Sequence, residues 1–281
     1  MLFQNRKYIF LDGAMGTMLQ KRGLKQGESP DIMNILAPEA VEDVHRMYVE
    51  AGSDIICTNT FGSNADALAE KGYTPQEIIN AAVTLAKRAS ANRAKVALDI
   101  GPTGQLIRPV GKLEEQKAYD MFKEQATIGE LAGADLVSIE TMSDIGELKA
   151  AMLAVKENTT LELIATMTFD KRGRTFMGCT PEDFAQAAQE CGALAIGLNC
   201  SLEPQEMYET AKKIAKASSL PLIIKPNAGL PNEETEDYDI SASEFTKQML
   251  PFAEIGAKFI GGCCGTTPEY ISDLRKTFLK L

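Results

Sequence analysis

Histidine is almost missing from this sequence: His45 is the single one in 281 residues. It falls in "PEAVEDVHRMYVEA", from residue 38, a segment with helical periodicity read as a surface helix far from any strand end. A Ser-His or Cys-His nucleophile therefore lacks its base. No apolar run approaches the ~20 residues that a membrane span needs. The start, "MLFQNRKYIFLDG", has no continuous apolar core of the kind a secretion signal carries, which points to the cytoplasm. Positive charge is also short. With 29 Lys and Arg against 39 Asp and Glu, the net charge is −10, which argues against nucleic acid or an anionic membrane as the main partner. Cysteine is limited to six scattered residues, and in a reducing compartment these read as packing, catalysis or metal, not as a disulfide frame. What remains, 44% hydrophobic and 24% charged, is the composition of an ordinary globular protein with a sizeable core.

A short pattern recurs along the chain: "EAGSDIICT" at 50, "LAGADLVSI" at 131, "ECGALAIGL" at 190 and "EIGAKFIGG" at 254. In each, a glycine (Gly52, Gly133, Gly192, Gly256) precedes an apolar run, as where a helix ends left-handed and the chain enters a strand. Four further apolar runs, "YIFLDGA" at 8, "KVALDIG" at 95, "ELIATMTF" at 162 and "PLIIKPNAG" at 221, bring the candidate strands to eight. Amphipathic segments separate them, several opening with Pro-Glu, which suits a first helical turn. Strands alternating with helices imply parallel pairing through right-handed crossovers. Eight units in about 250 residues fit a single α/β domain, a (β/α)8 TIM barrel with its active site at the C-terminal ends of the strands. A doubly wound open sheet is the alternative, but the glycine-marked strands fall on every second position, as in a paired repeat that closes. No linker or composition break divides residues 1–281.

Read in order, the strand ends carry Asp12, Thr58-Asn59-Thr60, Asp99, Glu140-Thr141, Thr166 to Thr168, Asn199-Cys200, Asn227 and Cys263-Cys264. Adjacent cysteines close a strained ring if they join each other, so a disulfide within the pair is a poor reading. Two small buried residues at a strand end is one alternative. The other is a pair of soft metal ligands, and Cys200 at the end of the sixth strand supplies a third. Three thiolates with an open fourth position suit zinc. Gly261, Gly262 and Gly265 give the backbone freedom for both neighbours to face one ion. Such a zinc lowers the pKa of a substrate thiol so that a thiolate exists at neutral pH. Cys57, Cys179 and Cys191 read as structural. Asp12 and Glu140 suit an ammonium group, and the glycine-rich "DGAMGTMLQKRG" leads into a helix start that attracts a carboxylate. Equally, Asp12 could cap that helix and Glu140 could pair with a barrel lysine.

At these residues the sequence resembles the homocysteine S-methyltransferase family. The stretches "LDGAMGTMLQ", "TNTFGSN", "DIGPTG", "SIETMSDIGELKAA", "GLNCS", "KPNAGLP" and "GGCCGTTPEYI" match it in order along the whole chain. "DIGPTG" and "PNAG" lean towards the homocysteine-binding module of the cobalamin-dependent methionine synthases and away from the enzymes that use betaine or S-methylmethionine. The resemblance implies zinc on Cys200, Cys263 and Cys264, with Asn227 as a fourth ligand through its side-chain oxygen until homocysteine displaces it. It implies the substrate ammonium on Asp12 and Glu140, the substrate carboxylate on the N–H groups of Ala14 and Met15, and Asn59 and Thr60 in the pocket wall. The implied activity is methyl transfer to homocysteine to give methionine, the donor being methylcobalamin on a separate corrinoid protein or cobalamin-binding module. S-methylmethionine, S-adenosylmethionine and betaine are the alternative donors. Neither a folate nor a cobalamin domain is expected within residues 1–281. Two other readings are a Schiff-base aldolase using Lys225 and a non-enzymatic thiol- or metal-binding scaffold.

Overall fold

Each of the eight apolar runs forms a strand: β1 (Ile9–Phe10), β2 (Ile55–Cys57), β3 (Lys95–Ile100), β4 (Leu136–Met142), β5 (Leu163–Met167), β6 (Ala195–Asn199), β7 (Leu222–Lys225) and β8 (Ala257–Ile260). This computed structural model describes residues 3, 6–25, 27–232 and 238–281. Every pairing is parallel, in the order β1-β8-β7-β6-β5-β4-β3-β2, with helices between the strands. The ladder stops between β1 and β2, and there carboxylates bridge the two strands. The Asp54 N–H donates to the Phe10 carbonyl at 2.6 Å, the Phe10 N–H to Asp54 Oδ2 at 3.0 Å, and the Cys57 N–H to Asp12 Oδ2 at 2.7 Å. The result is the (β/α)8 barrel that the strand count implies.

Alternation along the strands divides the core in two. Ile9, Leu11, Ile55, Ile164, Ile223 and Phe259 fill the barrel interior, while Phe10, Val96, Val137 and Ile196 face the surrounding helices. The four repeat glycines all take the left-handed conformation, with φ of 102° at Gly52, 97° at Gly133, 77° at Gly192 and 87° at Gly256. Each ends a helix or its closing turn and aims the next strand into the ring.

His45 departs from its expected surface position. It lies in the helix Pro38–Ala51, but on the inward stripe with Val41, Val44, Tyr48 and Val49, and it is fully buried. That spacing is the apolar face of an amphipathic helix, on which His45 replaces a hydrophobic residue. Burial pushes its pKa down to about 4, so the ring is neutral at ordinary pH. Among the described residues no helix is long and apolar enough to cross a membrane.

Candidate active site

The chain leaves β6 through two consecutive left-handed residues, Cys200 (φ 61°) and Ser201 (φ 60°). Such backbone is costly for non-glycine residues and persists only where neighbours hold it. Here the Cys200 N–H donates to the Lys225 carbonyl at 3.1 Å, fixing Cys200 against the end of β7. Beyond β8 the strand gives way to a turn. The Gly262 N–H donates to the Asp12 carbonyl at 3.1 Å, the Cys263 N–H to the Pro226 carbonyl at 2.8 Å, and the Thr266 N–H to the Cys263 carbonyl at 3.1 Å. A Cβ on Gly262 would stand 2.3 Å from Thr266 Oγ1, so only glycine admits this turn. Because extended backbone ends there, Cys263 and Cys264 escape the alternation that would send them to opposite faces.

The three sulfurs all lie within 4.8 Å of one another, and Cys200 Sγ is 3.9 Å from Cys264 Sγ. Sulfurs at two corners of a zinc tetrahedron, each about 2.3 Å from the metal, stand about 3.8 Å apart. The spacing and the soft donor set therefore fit zinc. Cys200 takes negative charge first: hydrogen bonds from the Cys263 and Cys264 thiols draw its pKa down to about 3, against the opposing effect of burial. The charged neighbour in turn pushes both partner thiols up. Asn199 Nδ2 donates towards Cys263 Sγ at 3.9 Å. The Asn227 side chain hydrogen-bonds Cys200, and its Oδ1 accepts the Cys264 N–H at 3.1 Å. The amide oxygen that the resemblance gives to the metal thus supports the backbone of a ligand.

A second constellation lies on the strand ends across the mouth. Asp12, Asp99 and Glu140 are buried, and Lys225 Nζ donates to Glu140 Oε2 at 2.5 Å. This is the lysine pairing left open for Glu140. Asp12 caps no helix; Oδ2 holds the β1–β2 seam through Cys57, and Oδ1 is buried without a hydrogen-bond partner among the described residues. Burial is the main reason that Asp12 rises to about 6, with Lys225 and the Cys57 N–H opposing it. Asp99 Oδ1 is likewise buried and unpartnered, and burial followed by Glu140 pushes Asp99 well above the usual carboxylate range. Burial alone would lower Lys225, but Glu140, Cys57, Asp12 and Asp99 together keep it well above its ordinary value. A Schiff-base nucleophile needs a free amine. Lys225 is held as an ammonium.

One cavity of about 370 Å³ is lined by both constellations, together with Met15, Asn59 and Thr60. The Ala14 N–H is not open to a carboxylate, because it donates to the Thr266 carbonyl at 3.1 Å. The next residue, Met15, begins the helix Met15–Gln20, whose first turn has no side-chain cap. Asn59 Nδ2 donates to the Pro30 carbonyl at 2.7 Å and Thr60 Oγ1 to the Asp99 carbonyl at 2.7 Å, so both brace the pocket wall. Tyr48 Oη bonds the carbonyls of Ala14 and Thr266, stapling the first strand's loop to the cysteine turn. Three residues exceed the expected site. Cys57 ends its strand facing inward, with its sulfur within 4.8 Å of carboxylate oxygens of Asp99 and Glu140. Asp99 was visible as a strand-end acid, and Lys225 as a strand-end lysine. A larger cavity, about 590 Å³, opens at the opposite end of the barrel between Phe3, Leu161, Leu194 and Phe259, away from the face on which barrel chemistry is built.

The family described as homocysteine S-methyltransferase matches residues 9–278. Methionine synthase of Mycobacterium leprae is 32% identical over 288 residues, covering 94% of this chain and 24% of that protein. Methionine synthase of Mycobacterium tuberculosis is 31% identical over 285 residues, with the same coverages. The chain therefore spans about a quarter of the length of these relatives. Among solved structures, the metallated form of the homocysteine methyltransferase MmuM from Escherichia coli superposes with a TM-score of 0.85 at 22% identity, covering 98% of both chains, a likeness of fold. A match that runs from β1 to the last helix, Pro268–Phe278, places the chain in the homocysteine S-methyltransferase family.

Proposed function

We propose that this chain binds homocysteine, holds its sulfur as a thiolate at a zinc carried by Cys200, Cys263 and Cys264, and presents it to a methyl donor to give methionine. The observation that carries this reading is the approach of three cysteines from two strand ends to within 4.8 Å at the mouth of the barrel. Zinc bound there would supply the means of deprotonating a thiol at neutral pH. The chain's own residues do the rest. Asp12 and Glu140 offer negative charge to the substrate ammonium, and the uncapped turn at Met15 offers N–H groups to its carboxylate. Asn227 and Asn199 hold the cysteine sulfurs in place, and Thr60 and Asn59 keep the wall rigid. Methyl transfer needs an in-line approach to the sulfur and no general base at the methyl group, in keeping with a site that has no histidine at its strand ends.

In this reading residues 1–281 form the homocysteine-binding barrel, and the donor is methylcobalamin on a corrinoid protein or module outside it. The support for that donor is the similarity to methionine synthases, of which this barrel spans a quarter. Thiols kept reduced fit a cytoplasmic setting. The test has two arms. Purified reduced protein should carry one zinc that Cys200→Ser removes while the far-ultraviolet spectrum is unchanged, and retained zinc would count against the site. Methionine should form from homocysteine with methylcobalamin or a methylated corrinoid protein. Formation only with S-methylmethionine, S-adenosylmethionine or betaine would reassign the donor, and none with any of them would favour a scaffold.

A further inference from the structure

The acidic end of the cavity holds more negative charge than the ammonium role of Asp12 and Glu140 requires. Three carboxylates, Asp12, Asp99 and Glu140, face a single lysine, and all four groups line the same cavity. Lys225 is committed to Glu140 Oε2. Within this cluster, Asp12 Oδ1 and Asp99 Oδ1 are buried without a partner among the described residues. Asp99 is 6% exposed, and its backbone is pinned on both sides: its N–H donates to Thr58 Oγ1 at 3.0 Å and its carbonyl accepts from Thr60 Oγ1 at 2.7 Å. Its carboxylate is therefore aimed by two threonines of the neighbouring strand's end and left without a structural bond at Oδ1.

An ammonium group has three N–H donors and no acceptor. Acceptors around it at about 2.8 Å, in tetrahedral directions, stand about 4.6 Å apart. Carboxylate oxygens of Asp99 and Glu140 lie within 4.8 Å of each other. We infer that Asp99 is a ligand of the substrate's amino group beside Glu140, while Lys225 offsets one of the cluster's three negative charges. This rests on the homocysteine reading and narrows it: the site selects thiols that carry an α-ammonium. The groups facing Asp99 are Asp12, Cys57, Glu140 and Lys225, with Asp31 beyond. Burial, then the Glu140 charge, pushes Asp99 well above the usual carboxylate range, and an arriving ammonium favours its charged form.

The test is calorimetric binding of homocysteine and of 4-mercaptobutanoate, which lacks only the amino group, to the zinc-loaded full chain. Asp99→Asn should weaken homocysteine by about 10- to 100-fold, as loss of a charged hydrogen bond does, and leave the mercaptobutanoate within about twofold. The unchanged second ligand also certifies the fold. Equal weakening of both, or of neither, overturns the role. A readout on the wild type needs no variant. Titration in two buffers of different ionisation enthalpy should show homocysteine releasing more protons than mercaptobutanoate, and equal release overturns the inference. Wild-type protein that binds both thiols equally tightly has no ammonium site, so the inference falls while the thiol reading stands. Protein that binds neither sinks both.

Discussion

Replacing Asp12 by asparagine should make the metal-free protein more stable, and only above acidic pH. In the folded chain burial raises the Asp12 carboxyl from 3.8 to about 6. Folded protein thus binds the proton more tightly than unfolded protein does. The contribution is most favourable below the unfolded value, near pH 4, and is lost as pH rises through about 6. Over that span the loss amounts to about 3 kcal/mol, with about half of it accrued by pH 5. Asparagine keeps an oxygen for the Cys57 N–H that closes the β1–β2 seam, and it presents an N–H₂ group to the cavity in place of the unpartnered Oδ1. Urea unfolding of reduced, metal-free protein reads the effect. The variant should exceed the wild type by up to about 3 kcal/mol at pH 7.5, by about half of that at pH 5, and by only about 0.6 kcal/mol at pH 4. A variant less stable at pH 7.5, or a gain that ignores pH, would refute the claim that this carboxylate is held charged at a cost. The same substitution should weaken homocysteine, since the cost is what a bound ammonium offsets.

Lys225→Met should destabilise the barrel by about 3–5 kcal/mol, the penalty of stranding the buried Glu140 carboxylate, and adding Glu140→Gln should recover most of it. Zinc content, measured by atomic absorption, should survive both changes; its loss would show that the two constellations are one. Asn199→Leu removes the acceptor of the Thr141 N–H and the Thr166 hydroxyl and the donor to Cys263 Sγ. Each buried group left unpaired costs about 1–3 kcal/mol, and a competitive chelator should strip zinc from this variant at a lower concentration than from wild type. An unaltered chelator midpoint would deny Asn199 a hold on the metal ligands. Mild disulfide oxidants should link Cys200 to Cys264, whose sulfurs are 3.9 Å apart, in preference to the strained Cys263–Cys264 ring. Peptide mapping identifies the bridge, zinc uptake should return on reduction, and bridges at Cys179 or Cys191 would disprove the order of reactivity.

The barrel was legible because its signal is periodic: apolar runs, helix-ending glycines and Pro-Glu helix starts recur at regular spacing, and each is a local demand of the backbone. The cysteine site was legible for a related reason, since residues at strand ends converge once the ring closes, whatever the helices do. What the chain does not display locally is which strand-end groups pair. Glu140 and Lys225 are 85 residues apart, and their bond depends on how β4 and β7 tilt across a barrel interior that no short stretch encodes. The same holds for Ala14, whose N–H looks free at a helix start until the Cys263–Thr266 turn brings the Thr266 carbonyl against it. His45 misled for the opposite reason: a polar residue on a helix reads as solvent-facing, yet its spacing from Val41, Val44 and Tyr48 already put it on the buried stripe. Cys57 reads as structural because it sits inside an apolar run, but a strand of three residues ends where its third side chain meets the cavity. At the mouth the chemistry follows from register across strands, and a carboxylate whose partner lies three strands away is free or satisfied only once that register is set.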